Sequence, residues 1–202
     1  MTQPPSSPAA AVTGLILAGG EGRRLGGVDK GLLELDGQPL VQHLARRLAG
    51  QVHTLLLSAN RHPERYRALG FDPLADGPYR GAGPLAGLRA GLAVCPTPWL
   101  LAVPCDMPLV PADLCARLWQ AAPADDARAR VPFDGARHHY ACLLLPRSAL
   151  VPVTAALDAG RRSLRELLAD LGWLGVDFAT AGTRAFSNLN TPADLARFAE
   201  LP

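Results

Sequence analysis

Gly19, Gly20, Gly22, Gly26 and Gly27 share one short stretch with the cations Arg23, Arg24 and Lys30, in the run LAGGEGRRLGGVDK from Leu17 to Lys30. Glycines remove side chains where backbone N–H groups must approach a ligand closely, and guanidinium and ammonium groups neutralise anionic oxygens. Together they suit a phosphorylated ligand. The stretch is neither the G-x-x-x-x-G-K-[ST] phosphate loop nor the G-x-G-x-x-G dinucleotide turn, since it has no Lys-Ser/Thr pair and no matching glycine spacing. By itself it also fits a tight connection between a strand and a helix.

Three further polar residues follow apolar runs: Asn60 after VHTLLLS, Asp76 after the short run ending at Leu74, and Asp106 after PWLLAV. Each has a bland role open to it, Asn60 as a helix cap, Asp76 as a turn former and Asp106 as the start of a loop. Taken jointly those roles explain less, because capping does not require every such residue to lie at the same end of one sheet. In open α/β sheets ligands sit outside the carboxyl ends of the strands, which is where the glycine stretch and these residues fall.

The elements that must position them alternate. Val12 to Ala18, Val52 to Ser58, Phe71 to Leu74 and Pro98 to Val103 read as buried strands. Between them, helices are expected from Pro39 to about Leu48, with Leu40, Val41, Leu44 and Leu48 inward, from Pro63 to Leu69, and from Leu85 to Val94 behind Gly83-Pro84. Such alternation predicts an α/β fold, a single-domain Rossmann-like sheet, mostly parallel, with helices on both faces. The second half is less regular. A helix is expected from Leu109 to Ala121, begun at Pro111. Strands Ala129 to Phe133 and His139 to Leu145 flank Asp134-Gly135 and make an antiparallel strand in this half. Helices near Ser148 to Asp158 and Ser163 to Leu171, a strand from Leu174 to Phe178 and a helix capped by Thr191 complete the chain.

A chain of 202 residues is long enough for a large core and is expected to form one domain over residues 12–202, behind a disordered Pro/Ser/Ala-rich tail at residues 1–11. Its 20 Lys and Arg against 18 Asp and Glu leave a net charge of +2, without a basic stripe for nucleic acid or an anionic membrane. No apolar run approaches the roughly 20 residues that span a bilayer. Cys95, Cys105, Cys115 and Cys142 lack C-x-x-C spacing and are expected to be reduced, in the cytoplasm. His138 and His139, adjacent on a strand, point to opposite faces and are not expected to share a metal.

With LAGG and R-x-G-G-x-D-K (Arg24 to Lys30), SANRH from Ser58, GPLAG from Gly83, PCDMP from Pro104 and NLNTPADL from Asn188 in one order, the sequence resembles the molybdenum cofactor guanylyltransferases. The likeness covers nearly all of the chain beyond the tail. Leu25 and Ser58 are small departures, and neither removes a charged or glycine position.

The resemblance implies transfer of GMP from GTP to the terminal phosphate of molybdenum-molybdopterin, with release of pyrophosphate. It places GTP against Leu17, Ala18, Gly19, Gly20, Lys30, Asn60, Asp76 and Asp106, with backbone donors between Ala18 and Gly22 approaching the nucleotide. Asp106 would coordinate Mg²⁺, the expected cofactor, and Lys30 and Arg24 would meet the triphosphate or the departing pyrophosphate. Asp29 fits either a partner that orients Lys30 or a surface turn acid. Asn188 and Asn190 match positions facing the molybdopterin, and also fit turn and cap chemistry. The N-terminal part would thus bind GTP and the metal, the C-terminal part the pterin, with cofactor-delivery proteins and acceptor molybdoenzymes as further partners. Competing readings are a cytidylyltransferase or sugar-phosphate nucleotidyltransferase of the same fold, or a GTP-binding cofactor adaptor without chemistry.

Overall fold

The computed structural model describes residues 7–19, 28–123, 125–182, 184–189 and 194. Among these, β1 (Val12–Leu17), β4 (Leu55–Ser58), β5 (Pro73–Leu74), β6 (Trp99–Pro104), β7 (Ala129–Phe133), β8 (Leu143–Pro146) and β9 (Trp173–Asp177) form one sheet, ordered β5-β4-β1-β6-β8-β7-β9. A separate hairpin joins β2 (Glu34–Leu35) to β3 (Gln38–Pro39). Its turn, Asp36-Gly37, has positive φ at both residues, 51° and 72°, the geometry that twists with a two-residue hairpin.

β1 is buried throughout and pairs in parallel with β4 on one side and β6 on the other. The register sets Leu17 opposite both Ser58 and Pro104, and Ser58 opposite Leu74. Four strands therefore end together, at one edge. β8 runs antiparallel to β6 and β7, and β9 is parallel to β7, so the mostly parallel sheet with one reversed strand is what the sequence led us to expect.

Alternating side chains divide the core in two. Ile16, Leu101 and Val103 face α2 (Leu40–Leu48), α3 (Pro63–Ala68) and α5 (Leu114–Gln120), while Leu15, Leu100 and Ala102 face α4 (Pro84–Val94), α6 (Leu150–Asp158) and α7 (Leu164–Leu171). Helix α2 buries Leu40, Val41, Leu44 and Leu48, as the periodicity predicts, and Ser163 caps α7 by accepting a 3.3 Å bond from the Glu166 amide. Arg130 on β7 is fully buried. Its guanidinium lies 4.4 Å from the Trp99 ring centroid and donates to the carbonyls of Trp119, Ala122, Pro123 and Asp126, tying the end of α5 to the sheet.

Some boundaries differ from the sequence reading. Residues 1–6 of the expected tail lie outside the described residues, but Pro8–Ala11 form a helical turn, α1, with Pro at its first position and Ala11 buried. Pro presets the helical φ and alanine loses little entropy in a helix, so the short run folds onto the core. Helix α5 starts at Leu114 rather than near Pro111, and β8 at Leu143 rather than His139. In the second case His138 bridges back to Phe133 and a turn closes from the His139 carbonyl to the Cys142 amide, using up the backbone groups a longer strand would need. Of the helix expected after Thr191, Asp194 alone is among the described residues, and it is helical.

Candidate active site

At the shared strand edge opens a cleft of roughly 190 Å³, lined by Leu17, Gly19, Lys30, Ser58, Asp76, Cys105 and Asp106, by Gly83 at the N-cap of α4 with Pro84 and Gly87 of that helix, and by Ala141. The structure thus brings together residues far apart in sequence that the sequence reading assigned to one site.

Asp106 is placed by backbone contacts on both sides. The Cys105 amide donates to the Leu17 carbonyl at 3.0 Å, extending the β1–β6 ladder, and the Asp106 carbonyl accepts the Leu189 amide at 2.8 Å. Its Oδ2 lies 3.1 Å from Lys30 Nζ. Its Oδ1 is buried and makes no hydrogen bond with any of the described residues. A buried carboxylate oxygen without a donor is costly unless something positive meets it. A hard divalent cation that takes one or two carboxylates and fills its shell with water and phosphate oxygens fits that position. Among the described residues no group of three or more His, Cys, Asp or Glu offers a closed cage.

Across the cleft, Asp76 is held from two sides. Asn60 Nδ2 donates to Oδ2 at 2.5 Å while the Asp76 amide donates back to Asn60 Oδ1 at 3.0 Å, and Ser58 Oγ donates to Oδ1 at 3.4 Å. Burial pushes the Asp76 carboxyl above its ordinary pKa, against the opposing pull of Asn60, Ser58 and the nearby Arg80. Sequence reasoning did not place Ser58 in the site. Its signal was its position, the last residue of an apolar strand two residues before Asn60.

Asp29 is not a surface acid: it is 4 % exposed, accepts the Tyr66 hydroxyl at 2.6 Å and caps the 3₁₀ turn Lys30–Leu32 through the Gly31 amide at 3.3 Å, so it holds the backbone on either side of Lys30. Ala18 is buried and its amide donates to the Ser58 carbonyl at 2.8 Å, so that donor serves the sheet rather than a ligand. Gly19 is exposed at the cleft. Gly20, Arg24 and Asn190 lie outside the described residues. Asn188 is exposed, one residue before the Leu189 amide that binds Asp106, so the chain returns it to the neighbourhood of that acid. Burial, with the negative charges of Asp106 and Asp29, pushes the Cys105 thiol far up and keeps it protonated, in accord with a packing role. The two histidines go separate ways: His139 Nε2 lies 2.7 Å from Asp134 Oδ2, whereas the His138 ring sits 4.7 Å from the ring centroids of Phe133 and Trp173.

Gly87 sets the width of the cleft. A Cβ there would lie 2.7 Å from Ser58 Oγ and 2.8 Å from Leu17 Cδ2. Gly87→Ala must therefore turn the Ser58 hydroxyl away from Asp76 or push α4 off the sheet. Overpacking of this kind costs about 1–3 kcal/mol, and we expect the KM for the nucleotide to rise roughly ten-fold, measured by steady-state titration. An unchanged KM would show that the close approach of α4 has no bearing on the site.

The sequence profile of the MobA-like NTP transferase domain matches residues 14–175. A protein of Cupriavidus taiwanensis named molybdenum cofactor guanylyltransferase is 43% identical over 189 residues, which cover 91% of this chain and 94% of that one. The chain belongs to the molybdenum cofactor guanylyltransferase family. Solved structures agree on the fold of this guanylyltransferase. The molybdopterin-guanine dinucleotide biosynthesis protein A of Archaeoglobus fulgidus superposes with a TM-score of 0.76 at 23% identity, covering 93% of this chain and 97% of that one. The 2-C-methyl-D-erythritol 4-phosphate cytidylyltransferase of Thermus thermophilus gives 0.68 at 17% identity, over 92% and 96%. No helix among the described residues of the enzyme is long and apolar enough to cross a membrane.

Proposed function

We propose that this enzyme transfers GMP from GTP to the terminal phosphate of molybdenum-molybdopterin, with GTP bound in the cleft between Asp76 and the Lys30–Asp106 pair. The observation that carries the reading is that pair: an ammonium 3.1 Å from a carboxylate whose second oxygen is buried without a donor among the described residues, at the mouth of a cleft fed by four strand ends. In the reaction an oxygen of the acceptor phosphate forms a bond to the α-phosphorus of GTP. The bond from that phosphorus to the oxygen bridging to the β-phosphate breaks, and pyrophosphate leaves with the electron pair.

Catalysis is then largely positioning and charge neutralisation. Asp106 would hold Mg²⁺, which when bound draws negative charge from the phosphate oxygens. Lys30 would exchange its contact with Asp106 for the triphosphate, keeping its charge beside the oxygens that become more negative as pyrophosphate departs. Asp76, fixed by Asn60 and Ser58, has a lone pair left on each oxygen and can accept two N–H groups from the edge of guanine, a pair adenine does not present. The binding of Leu189 to Asp106 supports an acceptor side that includes Asn188, with Arg24, Gly20 and Asn190 in the phosphate and pterin contacts that the family likeness implies.

A transfer assay tests substrate and reaction together. Purified protein with Mg²⁺, molybdenum-loaded molybdopterin and GTP should yield the guanine dinucleotide, identified by mass, and GTP should outcompete CTP and ATP. Preferential use of CTP would move the enzyme to the cytidylyl branch, and tight GTP binding without product would make it an adaptor.

A further inference from the structure

Lys30 lies on a three-residue 3₁₀ turn, Lys30–Leu32, beside an open cleft, yet its ammonium must arrive at a particular phosphate oxygen. Turns this short have little stability of their own, because their geometry is poor and they close few hydrogen bonds. What fixes this one is buried beneath it. Tyr66, on α3, is fully buried and donates its hydroxyl to Asp29 Oδ1 at 2.6 Å. The same oxygen accepts the Gly31 amide, so one carboxylate oxygen joins α3 to the residues on either side of Lys30.

The fit around that hydroxyl is close. A Cβ on Gly31 would stand 2.4 Å from Tyr66 Oη and 3.2 Å from the Ala18 Cβ, so the turn presses its backbone against the phenol on one side and the end of β1 on the other. Burial, with the hydrogen bond to Asp29 and its charge, pushes the phenol far above its ordinary pKa, which keeps the hydroxyl a donor at every working pH. At 2.6 Å the hydroxyl is held at a short hydrogen-bonding distance from the Asp29 carboxyl oxygen.

We infer that Tyr66 is a positioning residue for phosphoryl transfer: through Asp29 it fixes the turn that presents the Lys30 ammonium to the triphosphate. The inference rests on the proposed transfer reaction. Lys30 has to leave Asp106 and meet phosphate during each turnover while its backbone stays in place, and a backbone tied to a helix packed in the core lets the side chain alone make that movement. Tyr66 itself touches no substrate.

The test is a double-mutant cycle in the full chain, with unsubstituted protein as the control. GMP transfer by that control decides the underlying reaction separately from the role of Tyr66. Tyr66→Phe keeps the packing and removes the hydroxyl, and should lower kcat roughly ten-fold while the KM for GTP moves less than about two-fold, since misplacing a catalytic group acts on the reacting geometry more than on binding. In a Lys30→Ala background the same substitution should have almost no further effect on kcat, because the group it positions is gone. Gly31→Ala, which crowds the same hydroxyl, is read in the same cycle and should behave alike, and it replaces Tyr66→Phe if circular dichroism shows that variant unfolded. An equal fractional loss in both backgrounds would mean a merely structural tyrosine, and a kcat equal to that of the control would remove the role altogether.

Discussion

Asp106→Asn is expected to lower kcat for GMP transfer by roughly 10³-fold, about 4 kcal/mol of barrier, without unfolding the protein. The amide is isosteric with the carboxylate, so the contacts of the Asp106 backbone with Leu189, and of Cys105 with Leu17, persist. What is lost is the charge. Asp106 Oδ1 is buried with no donor among the described residues, and a neutral amide there cannot hold a divalent cation against the solvent. Lys30 loses its 3.1 Å ionic partner as well, but its side chain is 21 % exposed and remains hydrated, so the fold bears little of the damage. Two measurements separate chemistry from architecture: the circular dichroism spectrum should be unchanged, and Mn²⁺, used as a spectroscopic probe for the metal, should lose its GTP-dependent signal in electron paramagnetic resonance. A variant that binds Mn²⁺ normally and turns over at an ordinary rate would take Asp106 out of the mechanism.

The local pattern carried much of this site because its scaffold is periodic. β1 and β6 are largely apolar runs that lead into Ala18-Gly19 and into Pro104, and once they are read as parallel neighbours, Gly19 and Asp106 must emerge at the same edge. Asn60 and Asp76 follow by the same logic from β4 and β5. Contacts that depend on which helix lies over which strand were not legible in that way. Tyr66 and Asp29 stand 37 positions apart, and nothing in PERYRA marks its tyrosine as a donor rather than one more core aromatic. Gly87 reads as a mild flaw in a helix until α4 is seen against Ser58 and Leu17. Arg130 would read as the solvent-facing member of Ala-Arg-Val, yet β7 is buried on both faces and, among the described residues, the guanidinium is held by backbone carbonyls that carry no sequence signature. The short helix at Pro8–Ala11 was hidden by composition, because Pro, Ser and Ala mark a tail as readily as a capped helical turn.

Asp76→Asn should make the protein more stable and a poorer guanylyltransferase at once. Burial holds the folded-state pKa of this carboxyl above its ordinary value of 3.8, despite the hydrogen bonds from Asn60 and Ser58 that favour the charged form. A group whose pKa rises on folding binds its proton more tightly in the folded chain. Its favourable contribution is complete below the unfolded pKa and is lost as pH climbs through the folded one, so at neutral pH the ionised Asp76 opposes folding. Asparagine removes that opposition, and its carbonyl oxygen can still accept the Asn60 amide. Tm should therefore rise at pH 7, and the gain should shrink as the pH falls towards 3.8, where Asp76 is itself becoming neutral. Function moves the other way. An amide presents one acceptor where the carboxylate presents two, and its N–H₂ would oppose the donors of the guanine edge, so kcat/KM for GTP should fall roughly 10²-fold, about 2.7 kcal/mol, with preference over ATP and CTP declining in step. Thermal melts across pH and competition among the three nucleotides test both halves. A less stable variant at neutral pH would refute the burial argument, and an undiminished preference for GTP would mean that Asp76 meets another part of the nucleotide. If both halves hold, the carboxylate is kept in its apolar setting at the expense of stability because only a charged acceptor there selects the base.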